Sequence, residues 1–211
     1  MLALLMAGGK GERFGLGGVE KPLLEFAGKP LVAYVLAALL QSQIESVVMV
    51  TSPYTPCTTR WARSSGVPVL RAPGWGYIKD YRWAMTRLGL QGPVLIISAD
   101  LPLVNHQLID KIIEHRAEVE SPALGVYLPS EFCEEANVSP DLVLRAGTKL
   151  LVPSGINIVE AGLSDQLQQE TMLVIRDESL LYNVNTRDDL KRLTRKLAKS
   201  DAAKIGMTTT A

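Results

Sequence analysis

Cysteine, net charge and long apolar runs are all scarce in this sequence, and each shortage excludes a class of protein. The 211 residues include only two cysteines, Cys57 and Cys133. Both lie outside any metal-binding spacing, so we expect reduced, partly buried thiols. Lys and Arg number 22, as do Asp and Glu, which leaves no global field to attract nucleic acid. With no apolar run long enough to span a membrane and no signal-peptide pattern, the sequence predicts a cytoplasmic protein that binds a small ligand.

Apolar residues are abundant, and their spacing predicts the fold. They make up 47% of the chain, against 21% charged residues, which is enough for a substantial core. Short apolar runs alternate with helical patterns, which predicts a single α/β domain over residues 1–199. Its central sheet should be mostly parallel and flanked by helices, as in Rossmann-like three-layer folds. Residues 129–150 are interpreted as an excursion from the sheet, and residues 200–211 as a tail that frays.

The predicted elements alternate along the chain. Strands are predicted at 2–7, 46–51, 67–71, 94–99, 123–128, 155–159 and 172–175. Helices are predicted at 30–42, 57–65, 78–88, 105–118 and from Thr186 to the lysines around 196–199, with Asn105 and Thr186 as N-caps.

A glycine-rich loop follows the first predicted strand, in the stretch "LLMAGGKGERFG". A P-loop would need Ser or Thr after its lysine, but Gly11 follows Lys10 and Pro22 follows Lys21, so that motif is excluded. A dinucleotide-binding loop would open directly into a helix, which the further glycines at 15, 17 and 18 disfavour. The remaining interpretation is a long turn whose backbone N–H groups wrap a triphosphate, with Arg13 and Lys21 supplying positive charge. A flexible loop without a ligand is the alternative.

Polar residues follow the later strands at the edge where ligands bind in open α/β sheets. Thr51 and Ser52 follow the second strand, and Gly74 to Tyr77 follow the third. Asp100 ends the apolar run of the fourth strand, in "ISADLP". Magnesium takes one or two protein oxygens beside phosphate, and Asp100 suits that role. Its alternative is an ordinary turn aspartate.

The loop and the following "EKPLLEF" resemble the signature of nucleotidyltransferases with the glycosyltransferase-A-like fold. That superfamily includes sugar-phosphate nucleotidylyltransferases and molybdenum-cofactor guanylyltransferases. Further stretches are together most similar to the archaeal adenosylcobinamide-phosphate guanylyltransferases: "GGVEKPL", "TSPYTP", "GWGYIKD", "PSGINIV" and "YNVNTRDDL". The resemblance covers most of residues 1–193.

The resemblance implies a reaction and a set of roles. The phosphate of adenosylcobinamide phosphate would attack the α-phosphorus of GTP, giving adenosylcobinamide-GDP and pyrophosphate. The attacker is already an anion, so no side chain need act as nucleophile. Arg13, Lys21 and Asp100 would be catalytic. The residues implied to bind the nucleotide are Gly8, Gly9, Lys10, Gly11, Arg13, Lys21, Thr51, Ser52, Gly74, Gly76 and Asp80.

The resemblance also implies a metal and an acceptor site. Asp100 and Asn185 would bind Mg²⁺ (or Mn²⁺), although Asn185 could equally be a helix N-cap. Gly155 and Asn157 would contact the acceptor, a corrinoid phosphate, although Asn157 could instead be satisfied within the sheet. A homodimer is possible.

Two other functions are consistent with the sequence. The first is a nucleotidyltransferase of the same fold that acts on a molybdopterin or a sugar phosphate. The second, from a different class, is a nucleotide-binding regulatory protein without catalysis. The combination of Arg13, Lys21 and Asp100 argues against the second, because binding alone does not require the metal carboxylate.

Overall fold

The computed structural model describes residues 1–11 and 19–206, with side chains through residue 196. Over this part of the chain, the strands are β1 (Leu2–Met6), β2 (Glu25–Phe26), β3 (Lys29–Pro30), β4 (Ser46–Thr51), β5 (Val69–Arg71), β6 (Pro93–Ser98), β7 (Ala123–Pro129), β8 (Leu144–Ala146), β9 (Lys149–Glu160) and β10 (Glu170–Val174). The helices are α1 (Leu31–Gln41), α2 (Pro56–Ser64), α3 (Tyr77–Arg87), α4 (His106–Ala117), α5 (Ser130–Glu135) and α6 (Arg187–Gly206).

The central sheet has the strand order β10-β7-β9-β6-β1-β4-β5, with β8 paired to β9. β1 pairs in parallel with β4 and β6, as β4 does with β5 and β10 with β7. β9 runs antiparallel to both of its main neighbours, β6 and β7. The prediction of a mostly parallel sheet is therefore confirmed. The central strands are continuous apolar runs, because both of their faces are covered.

Helices cover the sheet on both faces. The larger core joins one face to α1, α2, α4 and α5, through Val35, Ala62, Ile109 and Cys133 respectively. The other face packs against α3 through Ala84 and neighbouring apolar residues. The predicted three-layer α/β fold is confirmed, and both cysteines are free thiols as predicted.

Two predicted helix caps are confirmed. The side chain of Asn105 accepts a hydrogen bond from the backbone N–H of Leu108 at 2.9 Å, at the start of α4. At the start of α6, the Thr186 hydroxyl accepts from the Asp189 amide at 3.2 Å. The Asp189 carboxylate in turn accepts from the Thr186 amide at 2.7 Å. This reciprocal pair satisfies N–H groups that a helix start leaves unpaired.

The largest differences from the sequence-based prediction lie in residues 129–160. The segment 129–150 is not an excursion: it forms α5 and β8, and β8 joins the sheet through β9. β9 begins at Lys149 rather than 155, because its first half pairs with β8 and with the end of β7. The pairing with β8 is a local hairpin, but the pairing with β7 joins residues that are distant in sequence, such as Tyr127 and Pro153, and the prolines of this segment obscured the strand pattern.

Smaller differences lie at other boundaries. The short hairpin β2–β3 was not predicted. β5 begins at Val69 rather than 67. α6 extends to Gly206, beyond the predicted end near 199 and into the segment predicted to fray. Residues 207–211 lie outside the described residues, so fraying there stays a prediction.

A third apolar cluster ties the two ends of the chain together. It joins Leu24 and Phe26 to Leu31 of α1 and to Val184 and Leu193. The segment just before it contains Lys21, and Val184 precedes Asn185. The cluster therefore holds Lys21 and Asn185 next to each other, although they are distant in sequence.

Candidate active site

The candidate site is a cleft of about 640 Å³ at the carboxyl ends of β1, β4, β5 and β6. This volume lies within the range of about 300–1,000 Å³ that is typical of small-molecule sites. Its wall includes most of the residues predicted to bind the nucleotide: Gly8, Gly9, Lys10, Gly11, Lys21, Thr51, Gly74, Gly76 and Asp80. The fold thus brings together segments that the sequence analysis linked only by the strand-end rule.

Gly8 packs the start of the glycine loop against the end of β4. A Cβ on Gly8 would lie 3.1 Å from both the Ser52 Cβ and the Thr51 carbonyl carbon. The Ser52 hydroxyl donates to the Gly8 carbonyl at 2.6 Å. A larger residue would have to displace the loop or the end of β4 slightly, so the close approach favours glycine here. The side chain of Ser52 thus holds the loop instead of projecting into the cleft.

The rest of the loop continues along the cleft. Gly11 has a φ of 65°, a left-handed conformation that favours glycine. The Lys10 ammonium lies 5.1 Å from the centre of the Tyr54 ring, within the range of a cation–π contact. Arg13 lies outside the described residues, so its predicted role stays a prediction.

The turn after β5 is organised by Asp80. Asp80 is 5% exposed, and its Oδ1 accepts from the amides of Gly74 and Trp75, both at 3.0 Å. Gly74 and Gly76 have φ values of 84° and 114°, which glycine adopts most readily. Oδ1 of Asp80 therefore stabilises the turn, whether or not Asp80 also contacts a base.

Thr51 also has a structural role. It is completely buried, and its hydroxyl accepts from the Thr59 hydroxyl at 2.8 Å. Its carbonyl accepts from the Ala72 amide at 2.8 Å. Thr51 therefore holds the ends of β4 and β5 together at the cleft wall.

Lys21, Asp100 and Asn185 form a charged cluster at one end of the cleft. The Lys21 ammonium donates to Asp100 Oδ2 and, at 2.6 Å, to Asn185 Oδ1. The Lys21 and Asp100 side chains are only 16% and 14% exposed. The Asp100 carbonyl accepts from the Val184 amide at 3.0 Å, which fixes the segment carrying Asn185. The Asn185 side chain therefore contacts Lys21, while Thr186 and Asp189 cap α6.

The cluster also fits a divalent ion. Asp100 Oδ1 is buried and has no hydrogen-bond partner among the described residues, so it is available to a cation. The side-chain oxygen of Asn185 contacts the same ammonium. Over the described part of the chain, no group of three or more His, Cys, Asp or Glu could hold a metal. Mg²⁺ does not need such a group, because it takes one or two protein oxygens and fills its other positions with phosphate and water.

Glu20 anchors the segment that carries Lys21. Its carboxylate accepts from the amides of Cys57 and Thr58 and from the Thr58 hydroxyl, each at 2.6 Å. These groups lie at the N-terminus of α2, where amides are unpaired and a negative charge is favoured. Burial alone would raise the pKa of Glu20, but the hydrogen bonds from Thr58 and Cys57 leave it lowered from 4.5.

The two predicted acceptor residues lie on β9, next to the cleft. Gly155, with a φ of 87°, falls where the pairing of β7 and β9 shifts register, a β-bulge of the kind often found beside active sites. Its carbonyl accepts from the Tyr77 hydroxyl at 3.3 Å, and Tyr77 lines the cleft. Asn157 of β9 pairs with Ile96 of β6 on one side and with Gly125 of β7 on the other. Neither acceptor residue lines the cleft directly.

Tyr77 connects this bulge to the charged cluster. Burial of its hydroxyl, and then the negative charge of Asp100, raise the pKa of Tyr77 well above its ordinary value. Tyr77 therefore stays protonated and keeps its hydrogen bond to Gly155.

The sequence analysis did not identify the anchoring role of Glu20, the Tyr54 ring or the Tyr77 contact. Glu20 and Tyr54 lie inside quoted motifs, "EKPLLEF" and "TSPYTP", so position within a motif was the available signal. The partners of Glu20 lie at least 37 residues away in the sequence. No local pattern indicates the partners of either residue.

The sequence and the geometry both match a known family. Residues 3–204 match the model of the MobA-like NTP transferase domain. This chain belongs to that family. The adenosylcobinamide-phosphate guanylyltransferase of Methanocaldococcus jannaschii is 36% identical over 211 residues, which cover 95% of this chain and 99% of that protein. A probable molybdenum cofactor guanylyltransferase of Thermococcus kodakarensis is 28% identical and covers 92% of this chain and 94% of its own length.

Solved structures agree with the MobA-like fold. A hypothetical transferase from Thermus thermophilus superposes with a TM-score of 0.66 at 18% identity, over 90% of this chain and 98% of that one. A CMP:2-keto-3-deoxy-manno-octonic acid synthetase complexed with CTP gives a TM-score of 0.67 at 12% identity, over 94% and 98%. At these identities the likeness is one of fold. None of the helices over the described residues is long and apolar enough for a membrane span.

Proposed function

We propose that this chain transfers GMP from GTP to adenosylcobinamide phosphate, releasing pyrophosphate. The observation that carries the proposal is the contact of Lys21 with Asp100 and Asn185 beside a glycine loop suited to phosphates. The 36% identical relative from Methanocaldococcus jannaschii, whose name states this reaction, supports the choice of acceptor. Cytoplasmic location and a homodimer stay predictions.

The chemistry is a displacement at phosphorus. An oxygen of the acceptor phosphate bonds to the α-phosphorus of GTP while the bond to the bridging oxygen of the β-phosphate breaks, and pyrophosphate departs with that electron pair. Because the nucleophile is already an anion, the protein must align two anions and reduce their repulsion. This explains a site that contains lysine and backbone amides rather than an activated serine or cysteine.

Each group in the cleft has a proposed part. Backbone amides at Gly8, Gly9 and Gly11 hold the β- and γ-phosphates, with Lys10 and Arg13 near the departing pyrophosphate. Lys21 stabilises the charge that builds at the α-phosphate.

Other groups hold the metal, the base and the acceptor. Asp100 and Asn185 would hold Mg²⁺ (or Mn²⁺), which supplies charge neutralisation between the reacting phosphates. The turn that Asp80 organises frames the base. Gly155 and Asn157 do not line the cleft, and they would shape the acceptor side through their contacts with Tyr77.

Pyrophosphate release tests the proposal directly. The purified chain is incubated with GTP, Mg²⁺ or Mn²⁺, and in separate reactions adenosylcobinamide phosphate, molybdopterin or a hexose 1-phosphate. We expect rapid release of pyrophosphate in the reaction with adenosylcobinamide phosphate and not in the other two. Release with molybdopterin alone would support the molybdenum-cofactor alternative, which the relative from Thermococcus kodakarensis favours. GTP binding without release in any reaction would support a regulatory protein.

Base choice is tested by thermal unfolding. GTP should raise the melting temperature more than ATP, CTP or UTP at the same concentration, because stabilisation follows the ratio of ligand concentration to Kd. Equal shifts with all four nucleotides would contradict guanine selectivity.

A further inference from the structure

A second cavity of about 320 Å³ adjoins the charged cluster and has no part in the proposed chemistry so far. It lies between α5, the segment 138–142, the first half of β9 and residues 180–189. Asn185 lines both cavities. A group in the second cavity would therefore lie next to Asn185, whose side chain contacts Lys21.

The wall of the second cavity suits a neutral group rather than a phosphate. Its apolar part comes from buried residues: Leu128, Val152, Leu180 and Leu181. Among the described residues, its ionisable part contains Asp141, Asp188, Asp189 and one basic side chain, Arg192. Asp188 pairs with Lys191 at 3.1 Å and Asp189 with Arg192 at 4.0 Å, so the basic side chain of the wall is already engaged by a carboxylate and does not offer a phosphate site. A phosphate that reacts at Lys21 would therefore stay in the nucleotide cleft, while an uncharged part of the same molecule could enter the second cavity.

Asn183 gives the cavity a specific polar group. Its side-chain oxygen Oδ1 is buried and has no hydrogen-bond partner among the described residues. A buried amide oxygen without a donor is unfavourable, and a ligand N–H that reached it would remove that penalty. The residue that follows, Val184, is completely buried in the third apolar cluster, so the backbone beside Asn183 is held firmly.

We propose that the second cavity binds a carboxamide-bearing arm of the acceptor, with Asn183 accepting an N–H from that arm. The proposal rests on the function proposed above and identifies where the organic part of the acceptor is recognised. A cobinamide carries several carboxamide arms around its ring. A cavity of about 320 Å³ accommodates one such arm and not the macrocycle, which would lie outside the cavity.

Three variants test the second cavity. Asn183→Leu keeps the branching of the side chain but removes the acceptor oxygen. Ser139→Phe fills the rim from an exposed position, so it leaves the core intact if Asn183→Leu proves unstable. Val143→Phe is the matched control, because Val143 is 41% exposed on the same segment and is not part of the cavity wall.

Equilibrium dialysis measures binding of adenosylcobinamide phosphate through the visible absorbance of the corrinoid, and a parallel titration measures GTP binding. We expect acceptor binding to weaken about three- to tenfold in Asn183→Leu, the range for one lost hydrogen bond. Ser139→Phe should weaken it at least as much. Val143→Phe should bind like the parent, and GTP affinity should stay within about twofold in all three variants.

The outcomes separate this inference from the proposed function. If the parent transfers GMP to the corrinoid but both cavity variants bind it like the parent, the second cavity is not the acceptor site and the proposed function stands. If the parent neither binds nor guanylylates the corrinoid, both proposals are wrong. If the cavity variants lose GTP affinity as much as acceptor affinity, the effect is not specific to the acceptor and the inference is overturned.

Discussion

The two halves of the sheet supply residues to the site in different ways. In what we call the nucleotide half (β5, β4, β1 and β6), all strands are parallel and each ends at the cleft, so residues after the strands line the cleft. In the acceptor half (β10, β7, β9 and β8), β9 runs in the opposite direction. The beginning of β9, not its end, therefore lies at the same edge.

This difference shows how each half of the site is specified. Regular crossovers place the residues proposed to bind the nucleotide, and a bulge at Gly155 lies on the side proposed for the acceptor. The halves meet at Lys21, Asp100 and Asn185. Substitutions at this junction should affect chemistry most, and substitutions within either half should affect mainly its own substrate or its own packing.

The largest effect is expected at the junction, with Asp100→Asn. Asparagine has the same shape but lacks the negative charge that holds Lys21 and suits a metal, so turnover should fall about 100-fold or more. Pyrophosphate release over a magnesium series measures this. Lys10→Ala, at the other end of the cleft, is the comparison and should weaken GTP binding more than turnover. Normal turnover by a folded Asp100→Asn variant would remove Asp100 from the mechanism.

The acceptor half is tested by Gly155→Ala against Gly147→Ala. Both glycines have positive φ, 87° and 61°, so alanine strains both backbones by about 1–2 kcal/mol. Only at Gly155 would the new Cβ also lie 3.3 Å from the Ser98 Cβ. Gly155→Ala should therefore lose more free energy of unfolding, measured in urea, and raise KM for the acceptor. Equal losses and an unchanged acceptor KM would contradict the role of the bulge.

The nucleotide half is tested by Gly8→Ala against Gly9→Ala. A Cβ on Gly8 meets β4 at 3.1 Å, whereas one on Gly9 meets nothing within 4 Å. Gly8→Ala should cost about 1–2 kcal/mol of stability through overpacking. Gly9→Ala should unfold like the parent but bind GTP less tightly if phosphate approaches this backbone. Urea unfolding and GTP titration separate the two effects, and equal destabilisation would contradict the packing argument.

The smallest effect is expected for Glu20→Gln, which weakens the anchor beneath Lys21. Glutamine lacks the negative charge that accepts three hydrogen bonds in the parent. We expect the free energy of unfolding to fall by about 1 kcal/mol at pH 7, a value that is small because the carboxylate is partly exposed to solvent. Because folding lowers the pKa of Glu20 below 4.5, its contribution is present above pH 4.5 and is lost as the pH falls through the lowered value.

Urea unfolding of the parent and Glu20→Gln at a series of pH values from 7 downward measures this contribution. The two stability curves should therefore converge as the pH falls below 4.5. A difference that stays constant over this range would mean that Glu20 does not act through its charge.

The nucleotide half was predictable because its signals are local. Patterns of only a few residues indicate each of its features: the apolar runs of β1 and β6, the glycines after β1 and the aspartate after β6. Helix bounds at α1 to α4 came within about a residue of the prediction for the same reason. The strand-end rule then converted those local signals into a shared site.

The acceptor half was less predictable because its structure depends on distant pairing. The first half of β9 pairs with the end of β7, which is distant in sequence, and Pro153 hides the strand pattern. Its pairing with β8 is a local hairpin, but that hairpin alone does not show that the strand belongs to the sheet. Likewise, the proposed role of Asn183 depends on the second cavity, and the role of Glu20 depends on the N-terminus of α2. Both features are formed by residues elsewhere in the chain. Spacing along the sequence carries no information about such partners.

The contact of Lys21 with Asn185 joins residues 164 positions apart, and its contact with Asp100 joins residues 79 apart. Such contacts form only after long loops have closed, which makes them late events in folding. During synthesis, the glycine loop and β4 to β6 are made well before the segment that carries Asn185. Because that segment completes both the cleft wall and the contact with Lys21, we expect catalytic competence to arise only when it docks.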